Sequence, residues 1–492
     1  MGDIIPFTEK EKKMAKNLIY DIHDRPKFAS LLLFALQQVL AILAATILVP
    51  AIVGYGMSQS AALFGAGVGT IVYQLFTKFR SPVFLGSSFA FIGSMCAAFA
   101  GAASASAGYT GIFIGAALAG LVYVILSFVI KFAGVAWINK LMPTVVIGPT
   151  VALIGLSLAV NAVNDLTVGK VMIETTQEVI KDGAIVTETV LVSGCSPYVA
   201  LICGLVTLFS IFVFSVYGKK MAKLIPFILG IGVGYATAAI FTVIGLLTEN
   251  VSLQVIDFAA FQNMSIFAVP EFTFIEAIKG VVEIDGSFIL TVLVAYVPVA
   301  FVVFAEHIAD HKNLSSIIEK DLLEDPGLDK TLLGDGVGSV AGAFFGGCPN
   351  TTYGESVGCV AITKNASVIT VTTAAIMSMV ISFFGPFVTF LSSIPNCVMG
   401  GVCVALYGFI AVSGLRMIQK VDLNDSRNLF VVSSILIPGI GGLTITFGEV
   451  TITTVACSLI LGIITNIVLN KFKKADSACA KEADAVSAEE EK

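Results

Sequence analysis

The sequence predicts an all-α polytopic membrane protein, and three observations support this fold class. The composition is apolar, because 57% of the 492 residues are hydrophobic, 13% are charged and the mean hydropathy is +0.94. Soluble domains, by contrast, carry about 25% charged residues. Apolar runs of roughly 20 residues, the length that crosses a bilayer as a helix, recur along the chain. Lys and Arg are concentrated in alternate loops between these runs.

The apolar runs predict fourteen segments, each bounded by charges or turn residues. They are 28–50, 59–78, 82–104, 110–133, 139–163, 197–217, 221–247, 287–309, 332–346, 350–363, 366–388, 391–413, 428–447 and 449–470. The segments 332–346 and 350–363 are too short to cross as simple helices, since a crossing takes about 20 residues.

The distribution of basic residues predicts that both termini are cytoplasmic. All Lys and Arg except Lys170, Lys181 and Lys279 fall on the two tails or on loops that share their side of the membrane. Cytoplasmic loops are the ones enriched in these residues. The N-terminal tail is polar and charged, so we expect no cleavable signal peptide.

The loops and tails carry no predicted catalytic chemistry. Stretches rich in β-branched residues flank Asp182-Gly183 and predict a small extracellular hairpin. The acidic C-terminal tail is predicted to be disordered. The nine cysteines show neither a disulfide framework nor metal-binding spacing, and we expect small core residues there.

Two stretches of the chain resemble each other and predict an internal repeat. "MPTVVIGPTVALIG" at 142–155 lies in the fifth segment, and "IPNCVMGGVCVALYG" at 394–408 lies in the twelfth. An offset of seven segments is odd, so the second half enters the membrane from the opposite side, as in the inverted repeats of many secondary transporters. The alternative is a chance likeness, because Gly, Val and Ala are common here.

The same offset pairs two interrupted segments. The third begins "SPVFLGSSFAFIG" and the tenth begins "CPNTTYGESVG", so each contains Pro and Gly near its start. Corresponding broken segments in two halves indicate a binding site near the bilayer midplane. Their free backbone groups need a partner, a cavity or a ligand.

Acidic residues in the segments are the candidate functional groups. Glu306 and Asp310 are four residues apart and share one helical face, and Glu355 lies in the tenth segment. An intramembrane carboxylate costs roughly 2.5–3.5 kcal/mol on insertion scales, and such groups are commonly functional. We therefore expect Glu306 and Glu355 to bind a polar ligand and to couple its transport to protons. Asp310 either joins them or faces the cytoplasm.

Other polar and aromatic residues have a structural alternative. Asp335, His307 and His311 are predicted to lie at the membrane interface. Tyr353 and Tyr407 either stack on a planar ligand or pack the interior. The sequence shows no nucleophile–base pair, phosphate loop or metal ligands. It therefore predicts a transporter rather than an enzyme, with no cofactor and no metal.

The motifs "PNTTYGESVGCVAITK", "AEHIAD", "LGSSFAFI" and "ATILVPAIVG" together resemble the nucleobase–ascorbate transporters, also called the nucleobase:cation symporter-2 family, and within it the bacterial uracil permeases. The resemblance implies fourteen transmembrane segments in two inverted repeats of seven. Segments 1–4 and 8–11 would form a core domain, segments 5–7 and 12–14 a gate domain, with short antiparallel strands in segments 3 and 10. The implied divisions are 1–27 (cytoplasmic tail), 28–163 (core segments 1–4 and gate segment 5), 164–196 (hairpin loop), 197–247 (gate segments 6–7), 248–286 (extracellular loop), 287–388 (core segments 8–11), 389–470 (gate segments 12–14) and 471–492 (cytoplasmic tail).

The resemblance also implies roles for single residues. Glu306 would hydrogen-bond a nucleobase and, with Asp310, take part in proton coupling, while Glu355 would bind the other ring edge. The backbone N–H groups of Phe89 and Gly354 would contact the carbonyl oxygens of the base. The remaining implied pocket residues are Ala45, Tyr353 and Tyr407. A planar base with donors and acceptors suits such a set of carboxylates and amides.

The implied function is a uracil:proton symporter of the cytoplasmic membrane. The resemblance also implies a homodimer formed through the gate domain, surrounded by lipid and without a nucleic-acid partner. One alternative is a xanthine or uric acid symporter, against which Glu355 argues because purine-specific members carry Gln there. Another is an anion exchanger of the same fold, which needs a positive site. No Arg or Lys lies deep in segments 3, 8 or 10.

Three positions depart from the family pattern. The first segment has Gln37-Gln38 where the family commonly has Gln-His, and Ser356 replaces a usual Asn. Asp310 stands where bacterial uracil permeases can have His. With Gln38, a structural bond that the family's histidine makes could be lost. Ser356 could loosen segment 10 or shift the specificity, and Asp310 could change the proton pathway.

Overall fold

The computed structural model describes residues 18–134, 142–181, 184–219, 221–262, 264–447 and 450–471. The turn Asp182-Gly183, most of the C-terminal tail and the first residues of the N-terminal tail lie outside these ranges. Within them the chain is mostly helical, with three pairs of short strands.

The helices fall into two sets along the chain. The first comprises α1 (Phe28–Val53), α2 (Gln59–Phe76), α3 (Ile92–Ala100), α4 (Ala105–Ala133), α5 (Thr144–Ser157), α6 (Ala159–Asp165), α7 (Pro197–Tyr217), α8 (Met221–Leu224) and α9 (Pro226–Leu247). The second comprises α10 (Thr273–Gly280), α11 (Gly286–Ile318), α12 (Leu328–Gly346), α13 (Gly354–Thr363), α14 (Val368–Ile381), α15 (Gly385–Ser393), α16 (Asn396–Ile418), α17 (Ser426–Ile440) and α18 (Thr454–Lys471).

The helices confirm a multi-pass membrane protein. Among the described residues, eight helical stretches are long and apolar enough to cross a membrane: α1, α4, α5 with α6, α7, α9, α11, α16 and α18. Shorter apolar helices lie at Phe89–Ala100, α14 and α17. The count of fourteen crossings and the division into core and gate domains stay predictions.

Of the predicted segment ends that differ from the helices, two have a clear local cause. The helix α11 continues past the predicted end at 309 to Ile318, where Glu319 adopts the left-handed conformation (φ 55°) that commonly ends helices. The helix α16 begins only after Pro395 rather than at 391, because proline interrupts a helix unless it lies in its first turn.

The strands form three antiparallel pairs. β1 (Leu85–Ser87) pairs with β4 (Asn350–Thr352), β2 (Met172–Lys181) with β3 (Ala184–Ser193), and β5 (Ile445–Phe447) with β6 (Val450–Ile452). The β2–β3 pair is the hairpin predicted from its β-branched residues. The β1–β4 pair joins the two interrupted segments, with Gly86 opposite Thr351, as the family resemblance implies.

Small residues let two pairs of helices approach closely. A Cβ added to Gly65 of α2 would lie 2.5 Å from the carbonyl oxygen of Gly342 in α12. A Cβ added to Gly414 of α16 would lie 2.2 Å from the backbone nitrogen of Ala152 in α5. Close approach through small residues is how membrane helices associate. The α5–α16 pair contains the two repeat stretches, and each helix begins directly after its matched proline, Pro143 or Pro395.

An extended N-terminal segment crosses the ends of two helices. The N–H of Ile19 donates to the carbonyl of Lys364 at 2.8 Å, and the N–H of Ala366 donates to the carbonyl of Tyr20 at 2.9 Å. Asp21 forms an ion pair of 2.7 Å with Lys320, which follows α11. The segment therefore links the end of α11 to the end of α13, the helices that carry Glu306 and Glu355.

Candidate functional site

Side chains satisfy the backbone where β1 and β4 meet. The N–H of Leu85 donates to Oγ1 of Thr70 at 2.9 Å, and the hydroxyl of Tyr353 donates to the carbonyl of Ser87 at 2.7 Å. The N–H of Ser88 donates to the carbonyl of Pro349 at 2.9 Å. All residues of both strands are buried. A short strand pair can lie within a membrane protein because its polar groups have such partners.

Gly86 permits the crossing of the two interrupted segments. A Cβ at this position would lie 2.3 Å from a ring atom of Tyr353, which is closer than carbon atoms can approach. The glycine in "LGSS" is therefore required by the close approach of an aromatic ring rather than by an unusual φ angle.

Each strand leads into the N-terminus of a helix. β1 is followed by the 3₁₀ turn Phe89–Phe91 and then α3, and β4 is followed by Tyr353 and α13. The first N–H groups of a helix lack intrahelical partners. Among the described residues, no hydrogen bond is recorded for the N–H of Phe89 or of Gly354. Two helix N-termini therefore present free donors, which favour ligand atoms of negative character.

A cavity of about 400 Å³ lies beside these helix starts. Six of the eight predicted site residues line it: Phe89, Glu306, Asp310, Tyr353, Gly354 and Glu355. They come from three stretches of the chain, and apolar side chains of α5 and α16 form the opposite wall. The cavity is large enough for a small heterocycle, since ligand pockets commonly measure about 300–1,000 Å³. We call it the central cavity.

The carboxyl groups meet the cavity in different ways. Glu306 is exposed and Glu355 is half-buried, and neither carboxyl has a recorded side-chain partner in the described ranges. Asp310 accepts a hydrogen bond of 2.8 Å from Oγ1 of Thr352, at the end of β4. The sequence analysis did not predict the hydrogen bond from Thr352 to Asp310, because only the strand pairing brings Thr352 close to α11.

Ala45 and Tyr407 are not among the residues that line the central cavity. Ala45 is buried in the middle of α1. Tyr407 is buried in α16 and contacts the ring of Phe89 edge-on, with the ring centroids 6.4 Å apart. It therefore stands behind a lining residue.

The prediction that His307, His311 and Asp335 lie at the membrane interface stays a prediction, but all three are fully buried within the protein. Nδ1 of His307 lies 2.8 Å from Oδ2 of Asp335, and the ring of His311 stacks on that of His307 with centroids 4.1 Å apart. His311 is 2.8 Å from the hydroxyl of Tyr73 through Nε2. Polar groups can be buried when they are paired in this way. The Gly-rich setting of Asp335, in "LLGDGVG", was the available signal, since it permits close helix packing.

Two of the departures from the family pattern contact each other. Nε2 of Gln38 donates to Oγ of Ser356, and the same oxygen accepts a bond of 3.2 Å from the N–H of Phe84. These bonds connect α1, α13 and the residue preceding β1. A bond between segments 1 and 10 is therefore present with the residues that this chain carries.

The family assignment comes from residues 29–448, which match the model Xan_ur_permease, described as the Permease family. The chain belongs to this family, the nucleobase–ascorbate transporters. It is 36% identical to the uracil permease of Bacillus caldolyticus, over 92% of this chain and 94% of that protein. The uracil permease of Escherichia coli K12 is 31% identical, over 90% and 92% respectively. These relatives are permeases, so the chain is a transporter and not an enzyme.

Solved structures show the same fold at low sequence identity. The transmembrane domain of the cyanobacterial bicarbonate transporter BicA aligns with a TM-score of 0.56 and 14% identity, covering 92% of this chain and all of that one. The murine Solute Carrier 26 family member A9 anion transporter aligns with a TM-score of 0.62 and 12% identity, covering 96% and 73%. At such identities the likeness concerns the fold alone.

Proposed function

We propose that the chain imports uracil together with protons across the cytoplasmic membrane. One observation carries the proposal: Glu306 and Glu355 line the same cavity as the free N–H groups of Phe89 and Gly354. The N–H groups of uracil can donate hydrogen bonds to carboxylates, and its carbonyl oxygens can accept hydrogen bonds from backbone amides. The relatives named uracil permeases, which match over about nine-tenths of the chain, support this choice of base.

The proposed binding geometry assigns each group to one edge of the base. Glu306 and Glu355 accept hydrogen bonds from ring N–H groups, and the helix starts at Phe89 and Gly354 donate to ring carbonyls. Ala45, Tyr353 and Tyr407 support the pocket behind these contacts. Proton coupling is assigned to Glu306 with Asp310, because both lie on one face of α11 at the cavity.

The proposed transport cycle uses the domain division implied by the resemblance. The core segments carry the carboxylates and the strand crossing, and the gate segments move against them so that the cavity faces each side in turn. Fourteen segments, cytoplasmic termini and a homodimer formed through the gate domain are parts of the same proposal. The separate sets of close-packed helices, α2 with α12 and α5 with α16, support two rigid units.

Two alternatives concern the substrate. A xanthine or uric acid symporter would use the same cavity, and Glu355 disfavours it by the family pattern described above. The second alternative is an anion exchanger, because the fold resembles that of anion transporters. Among the described residues that line the central cavity there are three acids and neither Lys nor Arg, which disfavours an anion.

The proposal is tested by uptake of labelled uracil into vesicles with an imposed inward proton gradient. We expect labelled uracil to accumulate in the vesicles and an uncoupler to abolish this accumulation. Unlabelled uracil should compete with the labelled base, and xanthine should not. Uptake of xanthine or of an anion without uracil uptake would reject the proposed substrate. Uracil uptake that ignores the uncoupler would reject proton coupling alone.

A further inference from the structure

A second cavity, of about 820 Å³, is lined in part by the start of α16, the helix that also lines the central cavity. It is bounded by the end of α1, the start of α2, the end of α6 and the start of α16. The positive-inside pattern assigns these helix ends to the extracellular side. We call this cavity the outer vestibule. Its charged and amide side chains are Gln59, Asn161, Asn164, Asp165, Lys170, Glu271 and Asn396.

The outer vestibule and the central cavity approach each other along α16. Cys403 lines the vestibule, and Leu406 lines the central cavity. Tyr407 lies one turn after Cys403, and its buried hydroxyl has no oxygen or nitrogen partner among the described residues. The ring of Tyr407 contacts Phe89, which lines the central cavity. Residues within one helical turn of α16 therefore line both spaces.

The polar side chains of α6 are available to a ligand. Asn164 and Asp165 follow Asn161 by three and four residues, so each of them is a neighbour of Asn161 on the surface of the helix. Asn161 and Asn164 are exposed, and Asp165 is half-buried. In the ranges that the structure describes, no hydrogen bond or ion pair is recorded for their side chains, although all three line the vestibule.

The chemistry of these groups fits a neutral amide-like ligand. A primary amide offers a donor and an acceptor side by side, which matches a ring edge with neighbouring C=O and N–H groups. Asp165 adds an acceptor and Lys170 a donor. The vestibule contains charges of both signs, Asp165 and Glu271 with Lys170, so it is not the single-sign site that a permanently charged ion would favour.

We infer that the outer vestibule is a capture site for a planar, uncharged heterocycle with adjacent N–H and C=O groups. Its ligand is the base that the central cavity transports, so the inference rests on the proposed function. The amides of Asn161 and Asn164 hold the base by its edge before it enters the central cavity. Capture at this place raises the occupancy of the transport path at low substrate concentration.

The first test compares the uptake kinetics of a double variant, Asn161→Ala with Asn164→Ala, with those of Val163→Ala. Val163 lies on the same helix, is exposed and does not line the vestibule. We expect the KM for uracil to rise about 3- to 10-fold in the double variant, as for the loss of one or two hydrogen bonds, with the maximal rate within about twofold of the wild type. Val163→Ala is expected to match the wild type.

The second test measures binding without transport. Saturation-transfer NMR of uracil is recorded on the full-length Glu355→Ala protein, whose central site is impaired. A weak signal is expected that disappears when Asn161→Ala and Asn164→Ala are added. Asn164→Gln, which keeps the amide, should restore it in part.

Each outcome decides the inference. An unchanged KM, a change in maximal rate alone, or an NMR signal that is absent or insensitive to the asparagines would overturn capture at the vestibule. If the wild-type protein itself does not take up uracil, the proposed function fails instead. The two failures are thus separate results.

Discussion

The two interrupted segments cross at one place with similar backbones but present different chemistry. After β1, Ser88 precedes a helical start at Phe89 and Ala90; after β4, Tyr353 precedes a helical start at Gly354 and Glu355. Ala90 and Glu355 thus occupy the same position in the first turn, and both line the central cavity. Backbone N–H groups are therefore available as donors after both strands, whereas a side-chain acceptor, Glu355, is present only after β4.

The largest expected effect comes from removing that difference. Glu355→Ala makes the two segments alike at this position, and we expect uracil uptake to fall roughly 100-fold, because hydrogen bonds to charged groups contribute about 1.5–3 kcal/mol each. Initial uptake at uracil concentrations well below the KM, corrected for protein in the membrane, measures it. Glu324→Gln, which alters an exposed acid, serves as the control. Near-normal uptake by Glu355→Ala would show that Glu355 does not bind the substrate.

The second prediction concerns the place where the two segments cross. Gly86→Ala places a methyl group against the ring of Tyr353, and overpacking of this kind costs about 1–3 kcal/mol. We expect uptake to fall about 10-fold or more with the protein still inserted. Gly93→Ala in α3, where the added Cβ meets nothing within 4 Å, should leave uptake unchanged. Equal behaviour of the two variants would contradict the observed strand crossing.

A third change separates coupling from binding. Asp310→Asn keeps an oxygen that accepts the bond from Thr352 but removes the titratable group. We expect the uncoupler-sensitive accumulation of uracil to fall by about 3- to 10-fold while equilibration of uracil across the membrane continues, since proton transfer is lost and the base contacts remain. Accumulation at wild-type levels would assign coupling to Glu306 without Asp310.

A smaller effect is expected from the bond that joins the two segments. Tyr353→Phe removes the hydroxyl that donates to the carbonyl of Ser87. A neutral hydrogen bond contributes about 1 kcal/mol, so the KM for uracil should rise about fivefold. Tyr235→Phe, whose hydroxyl lies 2.9 Å from Oγ of Ser393, removes a comparable bond away from the cavity and should leave the KM unchanged. A shift shared by both variants would indicate a general effect on packing.

The smallest expected effect concerns the bond between Gln38 and Ser356. Gln38→Ala should lower the free energy of unfolding by about 1 kcal/mol, and Ser356→Ala by more, because it also removes the acceptor of the Phe84 N–H. The double variant should lose less than the sum, because both changes remove the bond between Gln38 and Ser356. Thermal unfolding in detergent measures the three values. Additive losses would show that the two residues stabilise the fold independently.

Motifs with a local cause were predictable from the sequence. The interrupted starts at Pro82–Gly86 and Pro349–Gly354 predicted a mid-membrane site, and they meet as β1 and β4. The carboxylates Glu306, Asp310 and Glu355 were singled out because charge is rare in apolar segments, and all three line one cavity. The repeat also matched Pro143 with Pro395, although the predicted segments began at 139 and 391 and the helices begin directly after these prolines.

Contacts between distant segments were not predictable in the same way. Asp335 is far from His307 along the chain, and no periodicity shows that a buried histidine pairs with one oxygen of its carboxyl. The full burial of these residues was not predicted, because burial of a polar group depends on its partner. The bond from Thr352 to Asp310 and the outer vestibule arise from the same kind of distant packing.

The sequence by itself determined that this chain crosses a membrane several times, that it belongs to a family of transporters, and which acids lie within its apolar segments. These properties depend on composition, on local breaks and on motifs that stay together along the chain. Only the tertiary structure decided which groups share a cavity and which are paired away from it. The physical reason is that hydrogen bonds and cavities join residues across helices, and the positions of those helices follow from packing rather than from local sequence.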